Sequence, residues 1–504
     1  MHEVHVAVIG TGFAGLAMAI RMKQRGMSDF VLLERAQEVG GTWRDNTYPG
    51  AACDVPSHLY SFSFAPNPDW TRSFSPQPEI WRYLRRTARQ HGVYPHIRFG
   101  HDVQRCDWDE ALGRWLVRTS RGVFSAKVLV SGMGPLCEPQ LPDIKGLDTF
   151  EGTTFHSARW DHDYDLTGKR VAVIGTGASA IQFVPQIQPK VGKLSLFQRT
   201  PPWIMPRRDR PITALERRLF RWFPPLQRLA RAAVYWTREA SAIGFVRQPR
   251  LLRFAERYAK ANLYRAVKDP ALRKKLLPSF TMGCKRVLIS NDYYPALAKP
   301  NVDVVTEGIT EVRPHAVVTA DGVEHPVDAI IYGTGFHATD PPSLETVFGR
   351  DGVRLGEAWQ DGMEAYKGTT IAGFPNMFML VGPNTGLGHT SIVFMIESQV
   401  NYVMDALKLL NRTDVVEIDP RVDRVQAFND EVQRDMESTV WLTGGCASWY
   451  LDAKGRNTTL WPGFTWQYRR LTRKFDAHAY SVRLSGGSPA PTTALPARDD
   501  EAVH

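Results

Sequence analysis

Two glycine-rich turns constrain this chain more than anything else in it. Each follows a short apolar, β-rich run and precedes a helical pattern: residues 4–9 lead into Gly10-Thr-Gly12-Phe-Ala-Gly15, and Arg170–Ile174 leads into Gly175-Thr-Gly177-Ala-Ser-Ala180. In such a unit the first glycine makes the tight turn, and the second lets the backbone approach a pyrophosphate whose charge rests on the helix N-terminus. Two copies in one chain predict an α/β fold with two interleaved Rossmann-like dinucleotide-binding domains.

The copies differ in what comes next. A strand over residues 30–33 ends on Glu34, 24 positions after Gly10, where a carboxylate accepts hydrogen bonds from an adenosine ribose. The same count from Gly175 runs through a strand over 193–197 and reaches Arg199. An acid there would repel a 2'-phosphate, whereas arginine accommodates one. The second unit therefore reads as an NADP site. The first takes a dinucleotide without that phosphate, FAD being the natural candidate. Two later segments repeat the pattern of strand and small-residue turn, through Gly333-Thr334-Gly335 and through Gly382-Pro-Asn384. The second precedes a helix from about Thr390, whose N-terminus is placed to stabilise negative charge on a flavin ring.

A chain of 504 residues suits two or three domains. The expected division is residues 1–136 and 337–484 for the FAD domain and 137–336 for the NADP domain, with a disordered tail over 485–504. The net charge of +10 is uneven: residues 206–275 hold 19 Lys or Arg against 5 Asp or Glu, a local +14 that leaves the rest at −4. Arginines there alternate with Leu215, Leu219, Phe220, Trp222, Leu251, Leu252, Phe254 and Ala255 at helical spacing, so the segment reads as a helical insertion with a basic outer face. It is a solvated insertion, a field that draws in NADPH, or a weak interfacial membrane contact through Trp222, Phe223, Tyr235 and Trp236. Nucleic acid is the least favoured partner, because no recognition motif accompanies the charge. The apolar stretch 391–410 carries Glu397, Asn401, Asp405 and Lys408, too polar for a transmembrane helix. Five cysteines without a CxxC pair suggest neither a disulfide framework nor a metal site, and with no export signal a cytoplasmic protein is expected.

Between the two glycine turns lies Phe150-Glu-Gly152-Thr-Thr-Phe-His156-Ser-Ala-Arg-Trp160-Asp161. It matches, at every fixed position, the fingerprint FxGxxxHxxxW(P/D) of the Baeyer–Villiger monooxygenases, among the class B flavoprotein monooxygenases. Gly40, Gly41, Trp43, Tyr48, Pro49, Gly50 and Asp54 match a second fingerprint of that family. The chain resembles the family from Val4 to about Leu471. The resemblance implies FAD contacts at Gly10, Gly12, Gly15, Glu34, Thr42, Trp43, Asp54 and Tyr60, and NADP contacts at Thr176, Ser179, Arg199, Thr200 and Lys285. It implies that Arg286 is the catalytic cation, with Asp54 as its ionic partner, and that Trp449 is a mobile tryptophan closing over the nicotinamide. Two departures, a variant pattern over 455–461 and Ala52 where many members carry a larger side chain, bear on substrate preference.

The chemistry so implied is NADPH reduction of FAD, addition of O2 at the flavin C4a, and attack of the resulting peroxide on a ketone to give an ester or lactone, with sulfoxidation as a side activity. A peroxide must stay anionic to attack a carbonyl, and Arg286 supplies a permanent positive charge. His156, in a linker between domains, is expected to couple them rather than to catalyse. The alternatives are a flavin-dependent N- or S-hydroxylase and a flavin-binding redox sensor without turnover.

Overall fold

In the computed structural model, residues 1–340 and 343–486 are described. The strand His2–Ile9 stands centrally in the first sheet, with Phe30–Glu34 and Ile97–Phe99 parallel on one side and Gly122–Ser131 on the other. Its sequence shows why it is central. Val6 and Val8 point into one core and Ala7 and Ile9 into another, so both faces are apolar, as a strand covered on both sides requires. Beyond Gly122–Ser131 the sheet turns antiparallel through Arg114–Thr119 and Val103–Asp109. It is completed from the far end of the chain by Val347–Phe348 and Met377–Met379. The helices Phe13–Gln24 and Ile392–Leu410 bury their apolar faces in a single core, Leu16 and Val400 among them.

A second sheet, parallel throughout, runs Val302–Val305, Lys193–Phe197, Arg170–Ile174, Ala329–Tyr332, Thr153–His156. The fingerprint linker thus becomes the edge strand of this sheet. Its glycine has a local reason: a Cβ at Gly152 would sit 2.5 Å from the Asp328 carbonyl and from the Phe150 ring. Trp160 packs edge-on against Phe155, with ring centroids 5.1 Å apart, and against Phe183 at 5.3 Å.

The insertion forms the helices Ala214–Trp222, Pro224–Val246, Leu252–Ala266 and Pro270–Leu276. The first starts at a capping box between Thr213 and Glu216, the last at Asp269, whose carboxylate accepts from the Ala271 and Leu272 amides. Apolar side chains share the outer face with the arginines: Leu215, Trp222 and Phe254 are 65%, 70% and 68% exposed. Tyr235 turns inward instead, stacking on Phe394 with its hydroxyl 3.2 Å from Thr465 Oγ1.

The cysteine expectation is corrected. Cys284 and Cys446 form a disulfide across 162 positions, a spacing that no local motif reveals. Of the expected tail, Ser485 donates its amide to the Asp414 carbonyl at 2.8 Å, and residues 487–504 lie outside the described residues. Among the described residues no helix is long and apolar enough to cross a membrane, and no His, Cys, Asp and Glu cluster has the makings of a metal site.

Candidate active site

The first glycine turn is built to leave one open approach. Gly10 has φ +90°, and Gly15 lets the helix Phe13–Gln24 press on the turn, since a Cβ there would lie 2.0 Å from the Gly10 carbonyl. At Gly12 a Cβ would meet nothing closer than 3.8 Å, so this side remains free for a phosphate group. Glu34 is buried at the end of its strand, where its carboxylate accepts from Thr11 Oγ1 at 2.6 Å, the Thr11 amide at 3.1 Å and Arg44 Nη1 at 2.9 Å. Thr42 and Trp43 open the short helix Thr42–Asp45, and Trp43 Nε1 donates to the Tyr60 hydroxyl at 3.1 Å. Asn384 Oδ1 and Thr390 Oγ1 are buried without a hydrogen-bond partner in the loop after the strand Met377–Met379. A site with this turn, this acid and these orphaned acceptors fits FAD.

Arg286 and Asp54 meet at the junction of the two nucleotide units. Nε donates to Oδ2 at 2.7 Å and Nη2 to Oδ1 at 2.8 Å, while Nη1 donates to the Leu387 carbonyl at 3.3 Å. The fork is bidentate, so the guanidinium plane is oriented as well as held. Burial alone would raise the Asp54 pKa, but the charge and hydrogen bonds of Arg286 outweigh it and hold the carboxyl below its ordinary range. The Asp54 charge in turn raises the Arg286 pKa further, against burial. Behind this loop Gly283, at φ +95°, leaves no room for a side chain, since a Cβ would fall 2.8 Å from the Phe245 ring. Buried Tyr450 shares the field of the pair; desolvation raises its pKa to about 12.

In the second unit, Thr176 Oγ1 donates to the Thr200 carbonyl at 3.3 Å, which ties the glycine turn to the end of the strand Lys193–Phe197. Ser179 stands at the start of the helix Ala180–Ile187. Arg199 is exposed at the strand end. Burial, and then the charge of Arg199, lower the Lys285 pKa, so the two cations lie within each other's field. The unit therefore presents a glycine turn with two neighbouring positive charges beyond it, which fits a dinucleotide carrying a 2'-phosphate.

A family model, Flavin-binding monooxygenase-like, matches residues 3–221. A Baeyer–Villiger monooxygenase of Streptomyces coelicolor is 57% identical over 96% of this chain and 93% of its own length; another from Pseudomonas aeruginosa is 52% identical over 99% and 93%. The chain belongs to the Baeyer–Villiger monooxygenase family. Its fold is also that of solved members. The structure of cyclohexanone monooxygenase from Rhodococcus sp. Phi1 bound to NADP+ superposes with a TM-score of 0.84 at 28% identity, covering 96% of this chain and 99% of that one. OTEMO in complex with FAD and NADP does so with 0.87 at 28%, covering 95% and 99%.

Against that family background, Baeyer–Villiger residues expected from sequence fall into distinct positions. Trp449 is 49% exposed and packs at a tilt against Tyr450, centroids 4.5 Å apart, three residues beyond the cysteine bonded to Cys284. His156 is buried. Its Nδ1 accepts from the Ala158 amide at 3.1 Å, its ring meets Phe336, and burial drives its pKa down to about 4. A neutral imidazole capping a turn is a structural part.

Sequence reasoning missed Gln182 and Arg238. Gln182 donates to the Ala52 carbonyl at 3.0 Å and accepts from the Ala52 amide at 3.2 Å and the Tyr48 hydroxyl at 2.9 Å, joining the two units. Its one local signal is a polar residue between Ile181 and Phe183 on an apolar helix. Arg238, on the insertion helix Pro224–Val246, is half-buried within the field of Asp54 and Arg286. Burial lowers its pKa while Asp54 opposes that shift. His389 is fully buried with Nε2 3.5 Å from Glu239, and Glu239 accepts from Thr465 Oγ1 at 2.6 Å.

Proposed function

We propose that this protein is an NADPH- and O2-dependent enzyme that inserts oxygen beside the carbonyl of a ketone, giving an ester or lactone. The single observation that carries the reading is the bidentate Arg286–Asp54 pair, lodged where the two nucleotide units meet. Bound FAD supplies the activation of O2, drawing its electrons from NADPH. Arg199, Lys285, Thr176, Ser179 and Thr200 hold NADPH, and Gly10, Gly12, Gly15, Glu34, Thr42, Trp43 and Tyr60 hold FAD.

Arg286 provides a cation that does not lose its proton, set where negative charge develops on oxygen as the carbonyl is attacked. Asp54 fixes the plane of that cation and tunes its field. Gln182 keeps the two units in register, and Trp449 closes over the nicotinamide from a loop tethered beside Arg286 by Cys446. Support also comes from relatives above half identity that carry the Baeyer–Villiger name.

The test is product analysis with FAD-loaded protein, NADPH and a panel of cyclic, linear and aromatic ketones beside an amine and a sulfide. Esters or lactones from at least one ketone are expected. Oxygenation of the amine alone would establish an N-hydroxylase instead, and NADPH oxidation that no substrate stimulates would establish a redox sensor.

A further inference from the structure

Among the described residues 20 large hydrophobics stand exposed, and 11 of them fall between Leu215 and Tyr264, about a tenth of the chain. On the helix Pro224–Val246 they are arranged. Leu226, Leu229, Trp236 and Ile243 are exposed, with exposed Ala233 and Ala240 between them. Alternating steps of three and four lay these six side chains in one stripe along the helix. The other side of the helix is packed, through Gln227, Glu239, Ala242 and Val246. A stripe of this length facing water is costly, and a monomer seldom leaves one uncovered.

The charges around the stripe say what covers it. Residues 224–266 hold 9 Lys or Arg against 2 Glu, and both glutamates are turned to internal partners: Glu239 to Thr465, and Glu256 to the Met282 amide at 2.9 Å. Arg228, Arg247, Arg250, Arg253, Arg257 and Arg265 are exposed, and among the described residues none of them forms an ion pair. A second copy laid on this face would bring two cationic surfaces together, which electrostatics opposes. A nucleic acid would pair the arginines and leave Leu229, Trp236 and Ile243 in water. A bilayer with anionic headgroups satisfies both demands: the arginines pair with the headgroups, and Trp, Leu and Ile side chains sink to the level of the acyl boundary.

We propose that this face of the insertion docks on an anionic phospholipid bilayer. The opposite face of the same helix reaches the catalytic loop, since the Phe245 ring leaves no space for a Cβ on Gly283. One helix diameter, about 10 Å, then separates the lipid from the loop that carries Arg286. On the ketone-oxygenating reading above, an apolar substrate dissolved in the bilayer has a short path to that site; the docking itself does not depend on it.

The experiment is flotation of the full, FAD-loaded chain with vesicles of phosphatidylcholine alone and of phosphatidylcholine mixed with phosphatidylglycerol, at rising salt. Binding to the mixed vesicles only, weakening with salt, is expected. Arg250→Glu with Arg253→Glu should lower that binding by roughly 20-fold or more. Trp222→Ser with Trp236→Ser should lower it at every salt concentration while circular dichroism and turnover of a water-soluble ketone stay unchanged. Equal affinity for both vesicle types, no affinity for either, or a dimer in light scattering that Trp236→Ser dissociates would overturn the proposal. Vesicle binding by protein that oxygenates no ketone would leave the docking standing and defeat the functional reading instead.

Discussion

Arg286 and Asp54, 232 positions apart in the chain, share two hydrogen bonds of 2.7 and 2.8 Å. If the pair acts as a fixed cation, Arg286→Ala lowers ketone oxygenation about 10²–10³-fold. Arg286→Lys recovers little, because an ammonium has no fork to match the carboxylate. Flavin absorbance of the purified variants checks that FAD is retained. The sign of the pH effect follows from the depressed Asp54 pKa. The pairing is complete above the ordinary carboxylate range and is lost only as pH falls through a value below it. Asp54 therefore adds no step to the activity profile near neutrality, and a step that Asp54→Asn abolishes there would contradict the arrangement.

Gly50 joins the two nucleotide units by having no side chain. At φ +81° it holds a conformation that alanine adopts only under strain, and a Cβ would meet the Gln182 carbonyl at 2.7 Å. Gly50→Ala is expected to cost about 1–3 kcal/mol, read as a lower denaturation midpoint. An unchanged midpoint would show that the junction yields freely.

Arg199 and Lys285 are expected to read the 2'-phosphate together. Replacing both by alanine should raise the KM for NADPH by roughly 10- to 100-fold, as the loss of charge-assisted hydrogen bonds does, and leave that for NADH nearly unchanged. Wild-type protein using both cofactors equally well would contradict the assignment.

Away from the site, Arg350 is buried among three carboxylates: Glu110 at 2.9 Å, Asp419 at 3.0 Å and Glu417. Removing that cation, as in Arg350→Met, should destabilise the fold by about 3–5 kcal/mol. Burial pushes Asp419 up to about 6, against the pull of Arg350. The folded state then holds a proton that the unfolded state has released, so this group makes stability fall as pH rises from about 4 to about 6. Urea unfolding of Asp419→Asn across that window should lack the decline.

What was legible in the chain was local. The glycine turns, the strands beside them and the opposite ends Glu34 and Arg199 sit within runs of about thirty residues. There the periods of helix and strand and the demands of a phosphate-binding turn act directly on neighbouring positions. The family fingerprints Phe150 to Asp161 and Gly40 to Asp54 are equally local, and they carried the implication that Arg286 pairs with Asp54. The basic insertion was legible as helices, since its apolar spacing is helical. Which apolar residues would be left in water was not, because spacing defines a face and not what lies opposite it.

The sequence by itself determined two α/β nucleotide units, their different ends and the family. Only the tertiary structure decided that Gln182 clasps Ala52, that Cys284 is bonded to Cys446, and that Tyr235 turns inward while Trp236 stays out. The reason is physical. Backbone periodicity and turn chemistry act between residues a few positions apart, whereas these contacts join segments that meet only after both sheets and the insertion have packed.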